Sequence, residues 1–235
     1  QSFNELQTIA KKVATYYKDT TSAAYQLGGT CLSTWPATTN CRDQFIANIA
    51  LKKLRRPPTS SETNRLTSQA FGVATNGAEA VANVLYYLVI SPDFLIISEV
   101  GSQIEQAVDP VHGVVNLTPY EIASKLSYQI ADSPPDQLLI DAAKNNQLTS
   151  TSQIESHASR LLISDRSKAK LRSFYKYLFQ FKTYPAGSYN TDFLSGISNL
   201  ENTNTELLNE TYEFLDYITF TQKGSYKELM TSPIS

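Results

Sequence analysis

Apolar residues recur at steps of three and four positions along nearly the whole chain, which is the spacing of one face of an α-helix. Strand-like alternation of apolar and polar residues is scarce. The clearest stripes are Phe3, Leu6, Ala10, Val13 and Tyr17; Val81, Val84, Leu85 and Leu88; Ile122, Ala123, Leu126 and Ile130; and Leu171, Phe174, Leu178 and Phe181. This pattern predicts an all-α protein, an irregular bundle of many helices.

Polar residues at the starts of the apolar stripes predict where the helices begin. A Ser or Thr followed three residues later by Glu, Gln or Asp can satisfy backbone amides that the first helical turn leaves without partners. Six segments fit: TPYE at 118–121, SPPD at 133–136, TSSE from Thr59, STSQ from Ser150, TNTE from Thr203 and SYKE from Ser225. In TPYE and SPPD, the Pro after the cap is expected at the first helical position, where its missing N–H costs nothing. We therefore interpret these acidic residues as helix caps rather than as catalytic groups.

The longest predicted loop divides the chain. It covers residues 101–116 and predicts an N-terminal helical subdomain at 1–100 and a C-terminal helical subdomain at 117–235, which we expect to be truncated at its end. The sequence shows no internal repeat and no low-complexity tract.

Cys31 and Cys41, the two cysteines of the chain, enclose the turn-forming segment LSTWPATTN. They predict a disulfide that closes a short loop, a closure that stabilises a fold by roughly 2 to 3 kcal/mol. Two reduced thiols are the alternative, and a metal site would need further ligands that are not nearby. A disulfide favours an oxidising location, in the bacterial periplasm or outside the cell.

Charge and hydropathy exclude two classes of partner. The 20 Lys and Arg residues nearly balance the 22 Asp and Glu residues, which leaves a formal net charge of -2. No global field therefore steers the chain toward nucleic acid or an anionic membrane. The longest apolar run, at 81–90, is well short of the ~20 residues that span a bilayer, so we interpret it as a core helix.

Several motifs resemble a known group of proteins. In the C-terminal half they fall on Leu117, Glu121, Ala123, Lys125, Leu126, Ser127 and Tyr128; on Ser133, Pro135, Asp136 and Leu139; and on Arg160, Leu162, Asp165 and Arg166. Upstream, an R-R-P turn and an S-P-x-F-L segment before a Glu fall on Arg55, Arg56 and Pro57, and on Ser91, Pro92, Phe94, Leu95 and Glu99. In this order the motifs resemble domains of unknown function in large secreted proteins of planctomycetes and related bacteria, which often accompany c-type haem modules.

The resemblance implies an extracytoplasmic helical module of a larger assembly, with no established activity. Its implied partners are other chains or modules of that assembly, a c-type cytochrome among them. The stretch NETYEFLDYITFTQKGSYKELMTS resembles the start of a further module. Lys125 replaces the more usual Arg, and the absence of C-x-x-C-H excludes covalent haem attachment within these residues.

Candidate reactive residues are few. His112, in DPVHG, is either an exposed loop residue or a ligand that reaches a partner's cofactor, and His157 is interpreted as a partly buried structural residue. Asp132 and Asp136 could pair as carboxylates for glycoside hydrolysis or calcium binding. The cap interpretation of Asp136 is favoured over that pairing. No G-x-S-x-G occurs to support a serine nucleophile.

Two further groups of side chains have competing interpretations. The basic cluster Lys52, Lys53, Arg55 and Arg56 could contact phosphates, but a solvated helix end is the favoured account. The tyrosines Tyr86, Tyr87, Tyr175, Tyr177, Tyr212 and Tyr217 could line a carbohydrate groove, but helix packing and a protein interface are favoured.

The sequence therefore predicts no catalytic, cofactor-binding or metal-binding residue and one disulfide, Cys31 with Cys41. The leading hypothesis is an extracytoplasmic structural or interaction module without catalysis of its own. One alternative is the non-haem part of a c-type-cytochrome-associated oxidative enzyme, which predicts a pocket near His112. The other is a polysaccharide-binding module, which predicts an aromatic-lined groove.

Overall fold

The computed structural model describes residues 3–101, 114–181 and 200–233. Helices make up 73% of it and no strand occurs in these ranges, which confirms the all-α prediction. The α-helices are α1 Phe3–Asp19, α2 Thr21–Gly28, α3 Thr39–Leu54, α4 Ser60–Arg65, α5 Gly77–Val89, α6 Pro92–Leu95, α7 Pro119–Ala131, α8 Gln137–Lys144, α9 Thr151–Leu162, α10 Asp165–Leu178, α11 Leu200–Asp216 and α12 Tyr226–Thr231. A 3₁₀ turn lies at Thr30–Ser33, and π-helical turns at Leu66–Phe71 and Tyr217–Thr221 extend α4 and α11.

The chain folds into two compact units. The first consists of Gln1–Tyr128 and Pro134–Ile154, and the second of Gln129–Ser133 and Glu155–Ser235. The predicted connecting loop at 101–116 lies largely outside the described residues, so a division into subdomains at that loop stays a prediction.

The core of the first unit is built around α5. This helix is apolar on nearly all sides, which is typical of a helix surrounded by others. Its side chains Val81, Val84 and Leu85 are buried, and it packs against α1, α2, α3 and the π-helical turn. An ion pair of 2.9 Å between Lys18 Nζ and Glu79 Oε1 adds a polar link between α1 and α5.

The Cys31–Cys41 disulfide is present and joins the 3₁₀ turn to α3. Leu32, next to Cys31, is fully buried in the core. The chain approaches so closely there that a Cβ on Gly77 would lie 2.0 Å from the carbonyl oxygen of Leu32. Only glycine fits this contact, so the start of α5 and the disulfide-closed loop are positioned by the same approach.

The second unit has a smaller core in which aromatic residues surround three aliphatic side chains. Leu215, Ile218 and Leu229 are buried, and the partly buried residues against them are Tyr175, Phe179, Phe181, Tyr212 and Phe214. Arg172 on α10 binds Asp216 on α11, with 2.6 Å between Nη2 and Oδ2. Tyr175 of α10 and Tyr212 and Phe214 of α11 therefore pack these helices around the core.

Four of the predicted helix starts are confirmed. Thr59, Thr118, Ser150 and Ser225 each accept the backbone N–H of the Glu or Gln three residues later, and that side chain accepts the N–H of the cap. Pro119 is the first residue of α7, as predicted.

Two predicted helix starts are wrong. In SPPD the cap is Asp136 itself, which accepts the N–H of Leu139 at 3.0 Å, and α8 begins after both prolines. The aspartate competes successfully with Ser133 because its own carboxylate can reach the amide three residues ahead. At TNTE no helix begins, because α11 starts at Leu200 and runs through Thr203.

Among the described residues, no helix combines the length and the hydropathy needed to cross a membrane.

Candidate functional site

A sharp turn after α3 sets the positions of two arginines of the first unit, Arg55 and Arg56. The helix ends at Leu54, and Arg55 takes a left-handed conformation with φ of 62°. Pro57 and Pro58 follow and cannot continue a helix. Because a left-handed backbone is unfavourable for a residue with a side chain, the contacts of Arg55 must offset its conformation.

Arg55 is a buried cation, only 7% exposed. Its guanidinium donates to the backbone carbonyls of Asp93, Phe94 and Ile96, at 3.1 Å for Phe94 and 2.8 Å for Ile96, and more weakly to that of Lys53 at 3.5 Å. It also lies 5.9 Å from the ring centroid of Tyr128. The carbonyls of Asp93, Phe94 and Ile96 belong to α6 and the residue after it. Arg55 therefore caps the C-terminus of α6, although it lies about forty residues earlier in the sequence.

Arg56 binds two carboxylates. Its Nη1 and Nη2 donate to Glu62 at 2.9 Å each, and Nη2 also lies 3.0 Å from Oδ2 of Asp93. The hydrogen bond from Arg56 lowers the pKa of Glu62 to about 2, and bonds from Thr59 add to this effect while burial opposes it. The R-R-P turn and the S-P-x-F-L segment, separate in the sequence, are thus in direct contact.

Glu121 fixes the start of α7. One carboxylate oxygen accepts the N–H of Thr118 at 2.7 Å, and the other accepts the N–H groups of Val100 and Gly101 at 2.9 and 3.1 Å. Burial raises the pKa of Glu121, but the hydrogen bonds from Thr118, Val100 and Gly101 outweigh burial and hold the pKa below its ordinary value of 4.5. The carboxylate therefore anchors Val100 and Gly101 to the start of α7.

A cavity of about 250 Å³ lies beside these contacts, within the first unit, and we call it the Arg56 cavity. Its charged lining residues are Arg55, Arg56, Asp93 and Glu121. Hydroxyl groups come from Ser98, Thr118, Tyr120 and Ser124, and the apolar walls come from Leu54, Ile96, Ile97 and Val100. Burial and the charge of Asp141 raise the pKa of Tyr120 above 10, so its phenol keeps its proton. This arrangement can bind a polar molecule by hydrogen bonds.

The predicted reactive residues do not meet in the described structure. His112 lies outside the described residues. His157 is partly buried on α9, as predicted, and its Nδ1 has no hydrogen-bond partner in the described structure. Asp132 is exposed in a left-handed turn just after α7, and Asp136 caps α8.

The interpretation of the basic cluster as a solvated helix end is wrong for its two arginines. Lys52 is exposed, but Arg55 is buried and Arg56 is held by carboxylates. The turn after Leu54 buries Arg55 and directs Arg56, which stays one-third exposed, toward Glu62 and Asp93. The signal that could have revealed this is the double proline directly after the pair, which forces the chain to turn at the arginines.

Most of the named tyrosines pack, whereas Tyr177 and Tyr217 are exposed. Tyr175 stacks on Phe179 at 5.8 Å between ring centroids, and Tyr212 lies 5.5 Å from the guanidinium of Arg172. Tyr177, in contrast, is 79% exposed, and its helix neighbours Phe174 and Leu178 are 53% and 46% exposed. We call Phe174, Tyr177 and Leu178 the α10 stripe, because their spacing places them on one face of the helix.

Comparisons with known proteins identify a family. A family model described as a protein of unknown function, DUF1592, matches residues 117–235. The match includes the stretch from Asn209 to Ser232, so this stretch belongs to the same family region and the expectation of a further module there is wrong. It also includes Thr118, Tyr120, Glu121 and Ser124 of the Arg56 cavity. No curated protein and no solved structure matches the chain. Since the family model covers half of the chain, the chain belongs to the DUF1592 family.

Proposed function

We propose that this chain is a helical structural and interaction module of a larger bacterial protein, located in the periplasm or outside the cell and without catalysis of its own. The observation that carries the proposal is the α10 stripe, whose three large apolar side chains are exposed at helical spacing. Burying a side chain of this size stabilises a complex by up to about 1.5 to 3 kcal/mol.

The proposed occupant of the stripe is a helix of another module of the same protein, with apolar residues on one face and acidic residues at its edges. Charge complementarity supports this choice. Helix α10 carries the basic residues Arg166, Lys168, Lys170, Arg172 and Lys176 against a single acidic residue, Asp165. Arg172 is engaged with Asp216, whereas Arg166 and Lys176 are exposed beside the stripe. An acidic partner helix would complete this surface.

The disulfide and the carboxylate contacts support the remaining parts of the proposal. A disulfide between Cys31 and Cys41 is typical of an oxidising compartment. Glu62, Glu121 and Glu228 serve backbone amides at helix starts, which is a structural use of these acids. The association with planctomycete secreted proteins and with c-type cytochromes remains part of the proposal and rests on the motif resemblance.

The test is site-specific photo-crosslinking in the complete gene product. A benzoylphenylalanine at position 177 is expected to cross-link to an acidic helical segment that lies outside the present 235 residues. The matched control replaces Val73, which is 64% exposed in the first unit, and is expected to give no such product.

Three results would overturn the proposal. The first is a gene product that ends with these residues. The second is cross-linking from position 177 to a second copy of the same chain. The third is a cross-linking yield at position 177 that is no higher than the yield at position 73.

A further inference from the structure

We propose that the Cys31–Cys41 pair is a site of reversible thiol–disulfide exchange, attacked at Cys31 by a protein that carries two reactive thiols. The pair belongs to the first unit and shares no residue with the α10 stripe of the second. The inference therefore goes beyond the proposed function, and either can fail alone.

The two cysteines of the bond differ in exposure. Cys31 lies in the 3₁₀ turn and is exposed, whereas Cys41 is only 5% exposed and belongs to the hydrophobic core of the first unit. Exchange begins when a thiolate attacks one sulfur of the bond, and access decides which sulfur reacts. An incoming thiolate therefore attacks Cys31 in the folded protein, and Cys41 is the leaving group.

The position of Cys41 in the chain suits a leaving thiolate. Cys41 is the third residue of α3, a helix of 16 residues that begins at Thr39. The N–H groups of a first helical turn carry a partial positive charge, which stabilises a thiolate. Burial of Cys41 opposes the negative charge, so the sulfur takes up a proton once the bond has broken.

The exchange balances as a transfer of two electrons between two pairs of thiols. A thiolate of the partner bonds to Sγ of Cys31, and the electron pair of the Cys31–Cys41 bond leaves on Sγ of Cys41. The second thiol of the partner, as a thiolate, then attacks the partner's own sulfur in this mixed disulfide and releases Cys31. The partner is oxidised to a disulfide, the chain is reduced to two thiols, and the two protons lost by the partner are bound by Cys31 and Cys41.

Contacts other than the disulfide hold the loop between the two cysteines in place. Leu32 is fully buried, and its carbonyl oxygen lies against Gly77. Trp35 packs on Phe71, with 5.3 Å between the ring centroids. These contacts do not require the bond, so the reduced chain keeps its two thiols close together. Since proximity favours the reaction of two groups, the disulfide can form again in the folded protein.

The first experiment measures how fast dithiothreitol, a small dithiol, reduces the disulfide-bonded chain in native buffer and in urea. If the bond could be reached only after global unfolding, reduction in native buffer would be slower by the unfolding equilibrium constant, on the order of 10³ to 10⁸. We expect a difference of less than about 10³-fold, because Cys31 is exposed in the folded chain. A larger difference would overturn the proposal.

The second experiment identifies the attacked sulfur. The disulfide-bonded chain is treated with reduced glutathione, quenched with acid and N-ethylmaleimide, and mapped by tandem mass spectrometry. We expect glutathione on Cys31 and the maleimide on Cys41. An equal or larger amount of glutathione on Cys41, or the absence of any mixed disulfide, would contradict the assignment of Cys31.

Matched single-thiol variants test the same difference independently. Cys41→Ser leaves only the thiol of Cys31, and Cys31→Ser leaves only the thiol of Cys41. With the disulfide reagent dithionitrobenzoate, the thiol of Cys31 is expected to react faster in native buffer, and the two rates are expected to converge in urea. Equal rates in native buffer would show that the fold does not distinguish the two sulfurs.

The last experiment tests reversibility in the wild type. After reduction and removal of the reductant, the chain is expected to keep its helical circular dichroism and to form the bond again with oxidised glutathione in the absence of urea. Loss of the helical signal on reduction would show that the fold requires the bond, and reversible exchange in the folded protein would then be excluded.

Discussion

At the scale of single residues, the fold depends on arginine side chains that bind other groups of the same chain. Arg55 is the clearest case, because an unfavourable left-handed backbone is combined with a buried guanidinium that donates to four backbone carbonyls, three of them at the end of α6. The hydrogen bonds of Arg55 stabilise the fold, whereas the strain in its backbone destabilises it. Substitutions can therefore separate these two contributions.

We expect Arg55→Gly to lower the free energy of unfolding by about 2 to 4 kcal/mol, because three carbonyls lose their donor while the glycine relieves the backbone. Arg55→Ala should be about 1 kcal/mol worse, since it keeps the left-handed strain. Urea unfolding measures both variants. Lys52→Ala on the same helix is the control and should change stability by no more than about 0.5 kcal/mol. A glycine variant as stable as the wild type would show that these hydrogen bonds contribute nothing.

The pKa of Glu62 makes stability depend on pH. Its folded value of about 2 lies below the ordinary value of 4.5, so the unfolded chain binds more protons between these two pH values. The stabilisation from Glu62 is therefore fully present above pH 4.5 and is lost as the pH falls toward 2.

Between pH 4.5 and 2, the free energy of unfolding should fall less steeply in Glu62→Gln than in the wild type. The difference in slope should be up to about 1.4 kcal/mol per pH unit. Arg56→Gln should narrow the window, because it removes the largest cause of the depressed pKa. Urea unfolding at a series of pH values measures the slopes. Parallel profiles for the wild type and Glu62→Gln would contradict the assignment.

At the scale of elements, the disulfide and the helix caps locate the helix starts. The bond between Cys31 and Cys41 closes a loop whose two cysteines are 10 residues apart and anchors the 3₁₀ turn to α3. Replacing both cysteines by Ser should lower the free energy of unfolding by about 2 to 3 kcal/mol. Urea unfolding measures this loss, and wild-type protein treated with a reductant should lose the same amount.

Intact-mass measurement tests the compartment argument on native material. The native chain should be two hydrogens lighter than the same chain after reduction. Identical masses before and after reduction would remove the support that the disulfide gives to an extracytoplasmic location.

At the scale of the whole molecule, exposed and packed aromatics of one helix have different roles. Tyr177 is largely exposed, whereas Tyr175 stacks on Phe179 and contacts the core of the second unit. We expect Tyr177→Ser to change the free energy of unfolding by no more than about 0.5 kcal/mol, and Tyr175→Ser to lower it by roughly 2 kcal/mol or more. Urea unfolding compares them. If Tyr177→Ser is as destabilising as Tyr175→Ser, then Tyr177 serves the fold and is not available to a partner.

Much of the architecture could be predicted because it depends on local physics. The apolar spacing predicts α5, and the Thr and Ser caps with a Glu or Gln three residues later predict the starts of α4, α7, α9 and α12. Local reasoning failed where two local solutions competed. At 133–136 both Ser133 and Asp136 could cap a helix, and at Thr203 the same pattern lies inside α11.

The candidate site could not be predicted because its residues are distant in the sequence. The contact of Arg55 with Ile96 spans 41 positions, and the bond of Glu121 to Val100 spans 21. Nothing in the pattern around Arg55 states which carbonyls it will meet, and Ser124 resembles any other serine of an amphipathic helix.

The sequence by itself determined the helical class, four of the six predicted helix caps and the pair of cysteines able to form a short loop, because hydrophobic spacing and hydrogen bonds to nearby amides act over a few residues. The tertiary structure alone decided which charges are buried, which hydroxyls line a cavity and which aromatics remain exposed. Burial and desolvation depend on segments that are close only after the chain has folded. The left-handed turn after α3 buries Arg55 and brings Arg56, which stays one-third exposed, to Glu62 and Asp93.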